Sequence, residues 1–378
     1  MNFEATAPAT RILFGAGRLC EVAGVVAGLG SRPLLVYGSG SARSSGALHR
    51  LTADLRRADL EVAQFGGVRA NPGSDQVDAA VAVIGQRRSD VLVALGGGSV
   101  IDVAKAVAVC VAHGPAGPLI GLTLPQDPRT LPVVAIPTTA GSGAEVTRGA
   151  TIFDVERRVR AGIRGDDLFP KVAVVDPELT SGLPRQVGIE SGFDALAHAV
   201  EGYLATAATP LNAGWATAAV ELVVAHLPAV AAECCTAPVR EAMCLAALLG
   251  GLNVATAGTC LPHRLQQAMA SVFAVQPSHG AGLAAVYPAW LRCVESAVPH
   301  RCGPLASLLG DGLGLAGSLT RLLHRVGLPV NLTELGATAT EASALAAAVT
   351  GRLDNDPLIA LGSANLGEIC TSAQHTAS

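Results

Sequence analysis

Four side chains in the second half of the chain have the types and spacing of a metal-binding set. Asp194 and His198, in Gly192-Phe193-Asp194-Ala195-Leu196-Ala197-His198, stand four residues apart, which puts both on one face of a helix. A carboxylate and an imidazole facing one way can share an ion. His263, in Leu261-Pro262-His263-Arg264, and His279, in Pro277-Ser278-His279-Gly280, complete a set of one oxygen and three nitrogens that suits Fe2+ or Zn2+. Each histidine taken alone reads better as a hydrogen-bonded structural residue. The register of the Asp194/His198 pair, with two ligand-binding loops upstream, turns the balance toward a metal.

The first of those loops is Gly96-Gly97-Gly98-Ser99-Val100-Ile101-Asp102-Val103-Ala104-Lys105, which follows the apolar run Val91–Leu95 and opens a helix. Its glycines let the backbone approach a ligand closely, and the free N–H groups at a helix start favour a phosphate. A dinucleotide pyrophosphate fits. The bland alternative is a glycine-rich turn in which Ser99 and Asp102 form a capping box. The second loop, Pro137-Thr138-Thr139-Ala140-Gly141-Ser142-Gly143-Ala144-Glu145-Val146-Thr147, carries hydroxyls able to hydrogen-bond a ribose, phosphate or carboxamide. Two such loops at strand ends point to one cofactor.

The elements that must position these groups follow from the apolar pattern. Leu34–Tyr37, Val91–Leu95, Val133–Ile136 and Val172–Val175 are continuous apolar runs bounded by Gly, Pro or Asp, as in strands buried on both faces. Helical stretches, Ala47–Ala58, Gln76–Gln86 and Val100–Ala112, alternate with them, so residues 1–182 read as an α/β dinucleotide-binding domain with a mainly parallel sheet. After Asp176-Pro177 the strand signals stop. Ile189–Thr206, Leu211–His226 and Ala237–Leu249 fit helices, which makes residues 183–378 an all-helical domain for metal and substrate. A cleft between two unlike domains is a favoured ligand site.

Composition narrows the class of function. Of 378 residues 50% are hydrophobic and 15% charged, with a net charge of -4, which argues against disorder and against a nucleic-acid partner. Nine cysteines without a CxxC argue for a reducing, cytoplasmic location. Nothing between Met1 and Arg11 reads as a signal peptide. The uncharged run Ala242–Pro262 has the length of a membrane span, but its Gly, Asn, Thr and Pro residues favour a buried central helix, and no membrane partner is expected. Only Lys105 and Lys171 are lysines, and both lie inside motifs.

Together these segments resemble the iron-containing, or group III, alcohol dehydrogenase family. The resemblance runs through Asn71-Pro72, the GGGSVIDVAK stretch, PTTAGSGAEVT, Phe169-Pro170-Lys171 to Asp176-Pro177, and GFDALAHAVEGY, in that order. It implies a metal-dependent oxidoreductase acting on CH–OH groups, with NADP or NAD, in which hydride passes between a small alcohol or carbonyl substrate and the nicotinamide. It makes Asp194, His198, His263 and His279 the ligands. It puts Ser39, Asn71, Gly97, Gly98, Ser99, Asp102, Thr138, Thr139, Ser142 and Lys171 near the dinucleotide. A homodimer is compatible with it. A related fold, similar to glycerol dehydrogenase and dehydroquinate synthase, would use the same cofactors for other chemistry.

Three departures qualify the resemblance. Many members carry a histidine four residues after the third ligand as a proton relay, where this chain has Gln267, which does not titrate near neutral pH. NAD-selective members place an Asp after the strand here read as Leu34–Tyr37. This chain has Ser39 in Gly38-Ser39-Gly40-Ser41-Ala42-Arg43, which leaves NADP open. Pro262 before His263, and Ala150-Thr151-Ile152-Phe153, look like a phosphonoacetaldehyde-reductase-like branch, with Arg148 and Arg264 as candidate anion contacts or plain surface ion pairs. Competing expectations are a β-hydroxy acid or peptide-terminal Thr dehydrogenase with subsequent decarboxylation, and a non-catalytic cofactor-binding or partner-bound homologue.

Overall fold

The computed structural model describes residues 9–351, 353–362 and 365–374, in two compact units. Of the described residues, one unit holds those from Ala9 through Pro184 together with Thr236–Cys244; the other holds Arg185–Cys235 and those from Leu245 onward.

The first unit contains strands β1 (Arg11–Phe14), β2 (Pro33–Gly38), β3 (Ala63–Val68), β4 (Val91–Gly96), β5 (Val133–Pro137), β6 (Gly149–Asp154), β7 (Val159–Arg164) and β8 (Val172–Val175). Its helices are α1 (Val22–Ala27), α2 (Ser41–Ser44), α3 (Ala47–Arg57), α4 (Ser74–Arg87), α5 (Gly98–His113) and α6 (Ala116–Leu119). Six strands form a parallel sheet in the order β1-β8-β5-β4-β2-β3. The four apolar runs are its inner strands, β2, β4, β5 and β8, buried nearly end to end because helices cover both faces. Only the edges escape that pattern: β3 reads AQFGGV and β1 opens on Arg11, since an edge strand need not be apolar throughout. The remaining strands, β6 and β7, pair as an antiparallel hairpin in which Ala150, Ile152 and Asp154 point inward.

Chain direction across this sheet reverses between β2 and β4, because β3 returns to one side of β2 and β4 lies on the other. At such a reversal the loops leaving neighbouring strands diverge and open a crevice at their carboxyl ends. The glycine-rich loop and the Thr/Ser loop leave β4 and β5 at that edge.

The second unit is helical, and no strand follows Val175 among the described residues. Its helices are α7 (Arg185–Leu204), α8 (Pro210–Ala231), α9 (Ala237–Ala257, shared with the first unit), α10 (Leu261–Val272), α11 (His279–Ala297), α12 (Pro299–Leu309), α13 (Gly314–Val326), α14 (Ala339–Leu345), α15 (Pro357–Ala360) and α16 (Leu366–Ser372). The uncharged run Ala242–Pro262 is not a single central helix. It breaks at Gly258, whose φ of 77° ends α9, and α10 starts three residues later with Pro262 in its first turn. Both α8 and α9 are long and apolar enough to cross a membrane, yet α9 carries the fully buried Asn253, hydrogen-bonded to the Ala199 carbonyl at 2.9 Å.

Asp176 closes the sheet. Its buried carboxylate accepts from Gly17 N at 3.1 Å, Leu19 N at 3.0 Å and Glu178 N at 3.0 Å, tying the turn after β1 to the exit of β8. Asp176→Ala leaves three donors without a partner and is expected to cost about 2–3 kcal/mol of stability, read as a lower urea midpoint.

Candidate active site

Helices α7, α10 and α11 bring the four predicted donors to one point. His198 Nε2, His263 Nε2 and His279 Nε2 lie 3.5, 3.4 and 3.3 Å from a single atom, Asp194 Oδ1. One donor atom each from Asp194, His263 and His279 falls within 4.8 Å of the others, and the His198 ring stacks on His263 with centroids 4.7 Å apart. Asp194, His198 and His263 are buried, and His279, at the first position of α11, is partly open. The close approach of α11 to α7 depends on Gly280, where a Cβ would lie 2.6 Å from both Cβ and the carbonyl oxygen of Glu190.

Two of the three outward nitrogens are held from behind, and His198 Nδ1 is buried without a hydrogen-bond partner. His263 Nδ1 lies 2.7 Å from Glu201 Oε1, and His279 Nδ1 lies 2.7 Å from Gln266 Oε1. With Nδ1 engaged, Nε2 is left to face Asp194. Asp194 Oδ1 and His263 Nε2 nonetheless have no hydrogen-bond partner although both are buried. Orphaned oxygen and nitrogen donors converging on one buried point are the chemistry a divalent cation satisfies, so the residues present fit one.

Ionisation reflects the crowding. Burial would raise the Asp194 carboxyl, but the imidazoles of His198, His279 and His263 that face it hold it well below the usual carboxylate range. Burial pushes His198 down to about 4 against the pull of Asp194. For His263 burial acts the same way, but the Glu201 and Asp194 carboxylates outweigh it and lift the imidazole to about 9.

In the sheet unit, the loops after β2, β4 and β5 meet. Ser41 Oγ lies 3.0 Å from Thr138 Oγ1, and Thr138 N donates to the Gly96 carbonyl at 3.0 Å. A Cβ on Gly98 would sit 2.7 Å from Ser142 Oγ, so only glycine admits this approach. Gly97, not Ser99, caps α5, and the capping box does not form. The Asp102 carboxylate accepts instead from Thr151 N at 3.0 Å and holds the β6–β7 hairpin against the helix. The start of α5 therefore has no side-chain cap.

Gly97, Gly98, Ser99, Thr138, Thr139 and Ser142 therefore share one edge of the sheet, with Ser39 exposed at the end of β2 and Asn71, at φ 52°, in the turn after β3. Lys171 is not with them. It precedes β8 with its side chain exposed, and in a parallel sheet the residue before a strand lies at the edge opposite the residues after one. Arg148 pairs with Asp166 at 3.2 Å, both half-exposed, as a surface ion pair. Arg264, on α10, donates to Gln267 Oε1 at 2.8 Å and to Thr259 Oγ1 at 3.2 Å. Sequence reasoning passed over Glu201 and Gln266. Glu201 falls at i+7 from Asp194 and i+3 from His198, a spacing that marks the same helix face.

Comparison with known proteins agrees with this geometry. Residues 9–177 match the family model "Iron-containing alcohol dehydrogenase", and residues 188–358 match "Fe-containing alcohol dehydrogenase family, C-terminal". The chain belongs to the iron-containing alcohol dehydrogenase family. It is 32% identical over 345 residues to an NAD-dependent methanol dehydrogenase of Bacillus methanolicus, covering 88% of this chain and 90% of that one. It is 31% identical to a 1,3-propanediol dehydrogenase of Klebsiella pneumoniae, covering 85% and 84%. A crystal structure of 1,3-propanediol oxidoreductase superposes with a TM-score of 0.90 at 30% identity over 98% of both chains. The NAD+ complex of sulfoacetaldehyde reductase from Bifidobacterium kashiwanohense gives 0.87 at 28% identity, covering 99% and 98%. As a member of the iron-containing alcohol dehydrogenases this chain is an oxidoreductase acting on CH–OH groups, and the reading as a non-catalytic homologue falls.

In this alcohol dehydrogenase Lys105 does not face outward. It is fully buried and donates from Nζ to the Ala144 carbonyl at 3.0 Å and Thr147 Oγ1 at 3.1 Å, with Asp102 Oδ1 at 3.8 Å. Burial lowers it to about 8 against the pull of Asp102 and Glu145, and burial raises Glu145 to about 7 despite the lysine. The ammonium thus pins α5 to the end of the Thr/Ser loop. Lys105→Met is expected to weaken dinucleotide binding about tenfold, equivalent to roughly 1.4 kcal/mol, while metal content stays at the wild-type value; fluorescence titration and elemental analysis read the two separately.

Proposed function

We propose that Asp194, His198, His263 and His279 hold one divalent cation, Fe2+ or Zn2+, and that the loops after β2, β4 and β5 hold a nicotinamide dinucleotide. Residues 1–182 would then serve the dinucleotide and 183–378 the metal and substrate. The observation that carries this reading is the convergence of three imidazoles on the unpartnered Asp194 Oδ1. The nine free cysteines support a reducing, cytoplasmic setting.

When bound, the cation supplies Lewis-acid polarisation to an alcohol or carbonyl oxygen and the nicotinamide accepts or donates hydride. The chain's own contribution is positional. Glu201 and Gln266 hold two imidazoles in a fixed tautomer and direction, Gly97 to Ser99 offer backbone N–H groups to the pyrophosphate, and Thr138, Thr139 and Ser142 offer hydroxyls. Gln267, fixed by Arg264, orients the water and ribose hydroxyls that carry the proton and takes no proton itself. Arg264, one residue after His263, supports a small substrate bearing an anionic group, and the sulfoacetaldehyde reductase likeness points the same way.

His198→Ala is expected to remove bound metal and to lower turnover by roughly 100-fold or more in parallel, as measured by elemental analysis and steady-state assay. Full activity in a metal-free preparation would overturn the reading.

NADPH is the dinucleotide this chain is built to prefer. Ser39 leaves no carboxylate to repel a 2′-phosphate, and Arg43 is exposed beside it. Its guanidinium lies 5.2 Å from the Tyr37 ring centroid and donates to the Tyr37 hydroxyl at 3.2 Å. Ser39→Asp should shift the NADPH/NADH ratio of kcat/KM toward NADH by about tenfold or more. Equal efficiency of the wild type with both cofactors would count against the preference.

A further inference from the structure

Two carboxylates meet the first turn of α10. Glu201, on α7 and fully buried, accepts from Cys260 N through Oε2 at 2.7 Å while its Oε1 lies 2.7 Å from His263 Nδ1. Asp356, also fully buried, accepts from Leu261 N at 2.9 Å, Trp290 Nε1 at 2.9 Å and Leu358 N at 2.9 Å. Both satisfy N–H groups that a helix start leaves open, where negative charge is favoured. They differ in one respect. Glu201 touches an imidazole of the candidate metal centre, and Asp356 does not.

We propose that Glu201 is a positioning residue of the metal centre, holding His263 with Nε2 toward Asp194 and supplying the second negative charge that a buried divalent cation needs. This rests on the metal reading above. A neutral imidazole that donates from Nδ1 to a carboxylate keeps its Nε2 lone pair for a ligand bond, and the carboxylate makes that nitrogen more basic. Asp194 alone would leave a dication half-compensated among buried side chains, where unbalanced charge is costly. Asp194 and Glu201 together balance it. His279 needs no such charge, and its Nδ1 faces the uncharged Gln266. The helix register supplies the arrangement, since Asp194, His198 and Glu201 form a single stripe along α7.

The test is Zn2+ affinity measured by chelator competition on the full chain, with the visible spectrum of the Co2+-substituted protein as a second reading. Glu201→Gln keeps the volume and is expected to weaken Zn2+ binding about 10- to 100-fold and to shift the Co2+ bands, with dinucleotide affinity unchanged. Asp356→Asn disturbs the same helix start without touching His263, and its Zn2+ affinity should stay within about threefold of wild type while thermal stability falls. Equal affinity in Glu201→Gln and wild type would overturn the proposal, and so would equal losses in the two variants, because the effect would then belong to the helix start. Should Glu201→Gln fail to fold, Glu201→Asp keeps the charge and withdraws the oxygen from Nδ1. Binding that is severalfold weaker supports the proposal and unchanged binding overturns it. A wild type that takes up no Zn2+, Fe2+ or Co2+ overturns the metal reading and this proposal with it, whereas wild-type binding with an unaffected Glu201 variant overturns the proposal alone.

Discussion

One buried oxygen atom organises the helical unit. Asp194 Oδ1 has three imidazole nitrogens within 3.5 Å and no hydrogen bond, and the cost of burying such a group is recovered only when something positive stands among those donors. Everything close to it serves that requirement. α7 carries two of the donors on one face, α10 presents the third from its first turn, and α11 begins with the fourth. Behind them, a buried amide pair, Asn212 and Asn253, links α8 and α9 to the Ala199 carbonyl of α7.

The sheet unit solves a different problem, presenting backbone rather than side chains. Its inner strands are uniformly apolar because they are covered on both sides, so specificity can reside only in the loops that leave them. Hydroxyl to hydroxyl, Ser41 to Thr138, and glycine against serine, Gly98 to Ser142, the three loops are in mutual contact. Lys105 and Asp102 extend this from below, one to the Thr/Ser loop and the other to the β6–β7 hairpin. A motif that looks like a ligand-binding signature thus divides its labour, with the glycines admitting the close approach of the Thr/Ser loop and the two charged residues spent on holding the loops.

Much of this was legible in the sequence where one physical signal dominated. Continuous apolar runs located four inner strands, and i, i+4 spacing put Asp194 and His198 on a common face. The signals failed where two requirements competed. β1 and β3 are edge strands whose polar and glycine residues hide the pattern. The β6–β7 hairpin was invisible behind Arg157, Arg158 and Arg160, which belong to its turn and outer face. Lys171 sits in a matching motif, but direction in a parallel sheet, which a motif does not encode, places it at the wrong edge. Glu201 lay in plain view in the same helix as Asp194. Its importance came from a partner 62 residues away, and no local pattern announces that.

Gly280 sets the separation of two of the four donors. The residue after His279 packs its α-carbon against the backbone and Cβ of Glu190, four residues before Asp194. A contact made by main chain has no rotamers to sample and few degrees of freedom through which to loosen. The spacing between His279 and Asp194 is therefore gauged like a shim between two rigid bars rather than cushioned by side chains. A centre gauged in this way trades sequence tolerance for precision. Position 280 never touches a ligand, yet it is as restricted in what it can accept as the donors themselves.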